Sequence, residues 1–168
     1  MRLLSILFFI TVVMLTHLIA DDGKMHVKLP LSQSLPLLKT IETEALHLGS
    51  GPVKVHVFID PLCPHSRNFV EMVAESEKMR ARYSYNFYLY TLPRLHSEVM
   101  VATIFAAENP LQLLLKVMVE REEVDTIENN SAVVYQKIEA IEAVAKQLDV
   151  YKRPYMIMVK QPKKKRGQ

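Results

Sequence analysis

Cysteine occurs once in this 168-residue chain, at position 63, and so little sulfur excludes a good deal. A lone thiol cannot form an internal disulfide. It also leaves no convincing zinc set, because Cys63 and His65 stand too close together and His56 and His96 are too scattered. Cys–His hydrolase chemistry lacks an acid partner beside His65. Internal repeats and long low-complexity tracts are absent. A hydrophobic share of 49% excludes a disordered protein, and the length suffices for one domain with a real core. Long apolar runs are confined to the start. Arg2 precedes a nearly continuous apolar stretch from Leu3 to Leu15, and Ala20 offers a cleavage position before Asp21. Met1–Ala20 therefore reads as an export signal. An uncleaved anchor is the competing reading, but the run is short for a bilayer span and His17 interrupts it. Either way the rest of the chain is expected in an oxidising space, which in a bacterium is the periplasm. An unpaired cysteine there points to a reactive thiol or an intermolecular bridge, and the bland alternative is a buried inert thiol.

What the chain does contain is concentrated between Val53 and Val73, VKVHVFIDPLCPHSRNFVEMV. Val53 to Ile59 has the β-branched and aromatic character of a strand, and Asp60-Pro61 ends it. Phe69, Met72, Val73 and Met79 then recur at helical spacing. Pro64 suits the first helical position, which puts Cys63 at a helix N-terminus. Free backbone N–H groups and the positive end of the dipole favour an anionic sulfur there, and a protonated His65 would add to this.

Asp60-Pro61-Leu62-Cys63-Pro64-His65-Ser66, preceded by Val55-His56-Val57-Phe58-Ile59, resembles the active-site segment of the exported Dsb thiol:disulfide oxidoreductases. The likeness is to the isomerase branch (DsbC and DsbG), where D-P-x-C-P-x-C follows a strand. Ile104-Phe105-Ala106-Ala107 resembles the start of a helix in that family's inserted helical segment. Arg153-Pro154-Tyr155-Met156-Ile157-Met158-Val159 resembles its cis-proline loop and following strand. The resemblance covers roughly Gly49 to Lys160. It implies an α/β, thioredoxin-like fold with an inserted helical segment. It also implies a cis bond before Pro154, opposite the thiol, and backbone there that pairs with an extended substrate. Two departures stand out. The family's second active-site cysteine is Ser66 here, and Arg153 replaces a small or β-branched residue. Arg153 could stabilise thiolate, select acidic substrates, or point to solvent.

The remaining chain supplies the elements such a fold needs. Met25 to Leu29 reads as a short strand. Ser34 to Leu48 reads as a helix capped by Ser34, with Leu37, Leu38, Ile41, Ala45 and Leu48 packing on the following domain. Tyr83 to Leu92 is a second strand, and the strand–helix–strand order predicts parallel pairing with a right-handed crossover. Helices are expected from Ser97 to near Asn109-Pro110, over Leu111–Glu120, and over Asn129–Leu148. The last carries an apolar stripe at Val134, Ile138, Ile141, Ala145 and Leu148. Asn129-Asn130-Ser131 matches a glycosylation acceptor and reads better as a helix cap. Tyr155 to Lys160 is the third strand. A thioredoxin-like domain normally continues with a further strand and helix, but only eight residues follow Lys160, so a shortened C-terminal end with an exposed strand edge is expected. The layout is then a signal over 1–20, a lead-in over 21–50, the thioredoxin-like domain over 51–160 and a basic tail over 161–168. Residues 21–159 hold 15 basic and 18 acidic side chains, so the body is mildly acidic and basicity sits in the tail.

One thiol limits the chemistry. Cys63 alone can attack a disulfide to give a mixed disulfide, but it has no second thiol with which to release it. The reading that follows is a monothiol oxidoreductase or disulfide isomerase acting on exported proteins. Its site would be Cys63, Pro64, His65 and Ser66, with Ser66 donating a hydrogen bond to the thiolate, and with Arg153 and Pro154 on the substrate side. Cysteine-containing exported proteins would be the partners, and a small thiol or a membrane reductase would resolve the intermediate. No metal, cofactor or nucleic acid is expected. A monomer is expected, because the lead-in is too short to hold the isomerase branch's dimerisation domain. The alternative is a thioredoxin-like binding or assembly module whose redox chemistry has decayed.

Overall fold

The computed structural model describes residues 26–126 and 131–159. The export signal, Met25, the Asn129-Asn130 pair and the tail from Lys160 lie outside the described residues. In chain order the elements are α1 (Leu31–Thr40), β1 (Leu46–Leu48), β2 (Val53–Ile59), α2 (Pro64–Glu75), α3 (Glu77–Arg82), β3 (Tyr83–Leu89), α4 (Glu98–Ala106), α5 (Pro110–Leu115), α6 (Ala132–Gln147) and β4 (Tyr155–Val159). Short 3-10 turns at Glu42–Glu44 and Pro93–Leu95 and a π-helical turn at Lys116–Glu120 join them. The four strands form one sheet in the order β1-β3-β2-β4. β2 and β3 are parallel, as a strand–helix–strand unit requires, and the two flanking pairs are antiparallel.

Register assigns the faces. Val55 pairs with Tyr85, Val57 with Phe87 and Ile59 with Leu89, so these six side chains share one face. Helix α2 lies on it, with Val70 and Val73 fully buried and the Phe69 ring edge-on to Tyr85 at 6.0 Å. His56 and Phe58 point the other way, beside Tyr88, Ile157 and Tyr155. Helix α1 covers that side: Leu35 and Leu38 face His56 and Val159 across a small cavity. Helix α6 packs against α4 and β3, and Lys137 ties it to Glu44 at 3.3 Å. Its stripe is buried at Val134, Ile141, Ala145 and Leu148, as the spacing predicts. Each such aliphatic side chain contributes about 1.5–3 kcal/mol when fully buried.

The lead-in departs from its sequence reading. The helix begins at Leu31 and ends at Thr40, and the last part of the expected helix, Leu46–Leu48, is a strand paired with Tyr85–Phe87 of β3. Ser34 is not the cap. It lies inside α1, buried, with its hydroxyl donating to Leu29 O and Pro30 O at 3.3 and 3.1 Å. Residues 26–29 form no strand. Leu38, Ile41 and Ala45 nevertheless join the main core, so the lead-in packs on the domain as expected. The expected Leu111–Glu120 helix is α5 followed by the π-helical turn, and Asn109 caps it by accepting from Gln112 N–H. Gly49 and Gly51 let the β1–β2 connection cross the start of β3. Gly49 has φ +85°, and a Cβ on Gly51 would sit 2.0 Å from the Arg82 carbonyl carbon. Among the described residues no strand pairs with the outer edge of β4, although Lys28 Nζ donates to Met156 O at 3.2 Å.

One buried pair gives the fold an acid-sensitive point. His56 is 4% exposed, and its Nδ1 is 2.9 Å from the Tyr88 hydroxyl. Burial, helped by the nearby Lys54 cation, pushes His56 down to about 4, and burial pushes the Tyr88 phenol up. The unfolded chain therefore takes up a proton at His56 before the folded chain does. Stability is full above about pH 6.5 and falls as pH drops through the window from about 6.5 to 4, by roughly 3 kcal/mol at the lower end. Urea unfolding midpoints at pH 7 and pH 4.5 measure this. The fall should shrink by more than half in His56→Gln, and an equal fall in both proteins would remove His56 as its source.

Candidate active site

Cys63 occupies the N-cap position of α2, with Pro64 as the first helical residue. Its N–H donates to Asp60 O at 3.1 Å, and its carbonyl accepts the first helical bond from Arg67 N–H at 2.9 Å. Arg67 Nε donates to Pro61 O at 2.9 Å and clamps the turn onto the helix. The turn itself is set by Asp60. This residue is fully buried, and its Oδ1 accepts from Leu62 N–H at 2.8 Å, an Asx-type turn. Its Oδ2 accepts from Leu92 N–H and from Ser97 Oγ, both at 2.6 Å. One carboxylate thus holds the thiol turn against the loop after β3 and the start of α4. Ser97 precedes α4 as expected, but its hydroxyl is committed to Asp60 rather than to the helix.

The four expected residues of the segment are in one turn, with different surroundings. Pro64 and His65 are exposed. Ser66 is fully buried, and its oxygen accepts from Asp60 N–H at 3.3 Å. The hydrogen bond found at Ser66 therefore runs to the strand end and not to the sulfur. Cys63 is 2% exposed, so the thiol is buried, as the bland alternative had it. It is not sealed in the core, however. It forms part of the wall of a cavity of about 420 Å³ that opens between α2 and the approach to β4.

Arg153 stands on the wall of the same cavity, and the Arg153–Pro154 peptide bond is cis. Of the three fates considered for Arg153, pointing to solvent is excluded. The residue is 9% exposed, and its guanidinium donates to Tyr90 O at 3.2 Å, Thr91 O at 3.0 Å and Val150 O at 3.5 Å. It also stacks on the Tyr90 ring, 3.9 Å from the centroid. Burial pulls its titration down, while the Tyr90 contact and the negative charge of Asp60 and of an ionised Cys63 oppose that pull. A planar fork suits this place, because three carbonyls from two loops converge on it.

Several solved structures share this arrangement of elements. The catalytic domain of Proteus mirabilis ScsC superposes with a TM-score of 0.59 over 77% of this chain and 86% of its own, at 9% identity. A disulfide interchange protein from Neisseria gonorrhoeae gives 0.51 over 68% and 79%, at 18% identity. Helicobacter pylori DsbG gives 0.56 over 76% and 61%, at 13% identity. The chain has the Dsb-type thioredoxin fold. No protein-family model and no curated protein matches the sequence. At these identities the Dsb-type likeness is one of backbone architecture, and the site's chemistry has to come from the residues present.

Two features of this site were not drawn from the sequence. Asp60 read only as the end of a strand, although an Asp two residues before a free N–H in a Pro-containing turn is an Asx-turn signal. Arg94 and Lys152 also line the cavity, yet they stand far from position 63 in the chain and only the fold brings them there. Among the described residues no cluster of three metal-ligating side chains occurs, and no helix is long and apolar enough to cross a membrane.

Proposed function

We infer that this protein carries out thiol–disulfide exchange through Cys63 on exported proteins that contain cysteine. One observation carries the reading: the only thiol sits at a helix N-cap, on the wall of a cavity shared with the residue before a cis-proline. The Dsb-type fold supports the same reaction class. The Cys63 thiolate attacks one sulfur of a substrate disulfide. A Cys63–substrate disulfide forms, the substrate S–S bond breaks, and the departing thiolate takes a proton from solvent. With serine at position 66, release needs a thiol from outside. A second substrate thiol gives isomerisation, and a small thiol or a membrane reductase gives net reduction of the substrate. Export through Met1–Ala20 to the periplasm belongs to this reading, since stable disulfides are substrates of oxidising compartments.

The binding-module reading is favoured by one fact, the 2% exposure of Cys63. The two part on a single measurement. Folded protein is mixed with the neutral reagent 4,4′-dithiodipyridine, and thiopyridone release is followed. Release of one equivalent under native conditions, absent in Cys63→Ala, supports exchange. Release only after unfolding in urea would leave the binding module.

A further inference from the structure

The walls of the thiol cavity are cationic. His65 stands at the start of α2, Arg94 in the 3-10 turn after β3, and Lys152 and Arg153 on the approach to β4. The rest of the lining is Leu92, Pro93 and Tyr151, and no carboxylate is among the lining residues. Asp60 is fully buried behind the wall and offsets part of the charge of Arg153, which leaves Arg94 and Lys152 as the exposed cations of the lining. The clustering is not a reflection of overall charge, because residues 21–159 carry more acidic than basic side chains. Two separate segments deliver three cations, Arg94, Lys152 and Arg153, to the cavity of the one thiol in an otherwise mildly acidic body. A cleft with charge of one sign and low-dielectric walls focuses its field and raises the local concentration of counter-charged reactants. The volume, about 420 Å³, lies in the range of small-ligand pockets and accommodates a few residues of extended chain rather than a folded surface.

We propose that the Cys63 cavity selects disulfides carried on acidic, extended peptide segments, with Arg94 and Lys152 as the specificity-determining residues at its exposed rim. The proposal rests on the exchange reading above. The covalent step is unchanged: Cys63 Sγ bonds to the peptide sulfur, the peptide's original S–S bond breaks, and the leaving thiol carries away the electron pair. Carboxylates beside the disulfide lower the free energy of encounter through Arg94, Lys152 and Arg153, and lysines beside it raise that free energy.

The test uses three peptides with one cysteine activated as a pyridyl disulfide and flanked on both sides by Glu, Gln or Lys. The leaving group is the same in all three, so intrinsic reactivity is held constant. At low salt the full chain should react about tenfold or more faster with the Glu peptide than with the Lys peptide, with Gln between them. At 0.5 M salt the spread should collapse to within about threefold, as screening at that ionic strength demands. Arg94→Glu combined with Lys152→Glu alters two exposed side chains outside the core and should reverse the order. A Glu-to-Lys rate ratio within twofold at low salt, or an order unchanged in the double variant, would overturn the selection while leaving exchange intact. Failure of the Gln peptide to react with folded protein would instead remove the exchange reading.

Discussion

Ser66→Cys is expected to turn a slow, externally resolved thiol into a self-resolving pair. Cys63 is the N-cap of α2 and Ser66 lies three residues on, so the two side chains share one face of the first turn. That spacing is close to what a disulfide spans. Serine and cysteine differ little in volume, and position 66 is fully buried, so the introduced sulfur has little room to leave the first turn. The expected result is an internal disulfide on oxidation, and release of peptide mixed disulfides faster by about 10³-fold than in the natural protein with millimolar external thiol. The basis is effective molarity, since an oriented intramolecular group acts at about 10⁵ M or more in favourable cases and even a small part of that exceeds millimolar thiol. The cost is modest. Sulfur is a weak acceptor for the Asp60 N–H that now bonds Ser66 Oγ, a loss of about 1 kcal/mol. Trapping the peptide adduct and following its decay by mass measures the effect. An adduct as persistent in the variant as in the natural chain would show that the two positions do not face each other.

Arg153→Met is expected to cost about 4 kcal/mol of stability. The guanidinium is the shared donor for the Tyr90, Thr91 and Val150 carbonyls, and it stacks on the Tyr90 ring. Methionine fills much of the volume but donates nothing. Removing one partner of a buried polar contact costs about 1–3 kcal/mol per group left unpaired, and the lost ring contact adds about 1–2 kcal/mol. Desolvation of the cation is recovered in the variant, which keeps the sum well below those totals. Arg153→Lys keeps the charge without the fork, and should lose more than half as much. Urea unfolding of the three proteins checks this, and a loss under about 1 kcal/mol in Arg153→Met would mean that water replaces the guanidinium without penalty. The same variant should leave the loop after β3 less tightly held to the approach to β4, because the guanidinium bonds both.

Legibility differed from element to element. Val53–Ile59 and Tyr83–Leu89 were clear because β-branched and aromatic residues dominate there with no Gly or Pro between them, and burial on both faces asks for that composition. The lead-in misled because Leu48 satisfies two periods at once. Leu48 continues the helical stripe of Leu38, Ile41 and Ala45, and with Leu46 it also alternates as a strand should. Pairing with the free edge of β3 is a contact across nearly forty residues, invisible to any local pattern, and it overrode helix propensity.

By itself the sequence determined the parallel β2–α2–β3 unit and the place of Cys63 at a helix N-cap, because both rest on local residue chemistry, while the cis bond before Pro154 was implied by the resemblance to the Dsb proteins. Tertiary structure alone decided how deep the sulfur lies, that Asp60 anchors the turn around it, and that Arg153 is pinned rather than solvated. It also decided that His65 and the cations at positions 94, 152 and 153 share one cavity. Burial and field strength depend on what surrounds a group in three dimensions, and those neighbours come from segments that no pattern along the chain connects.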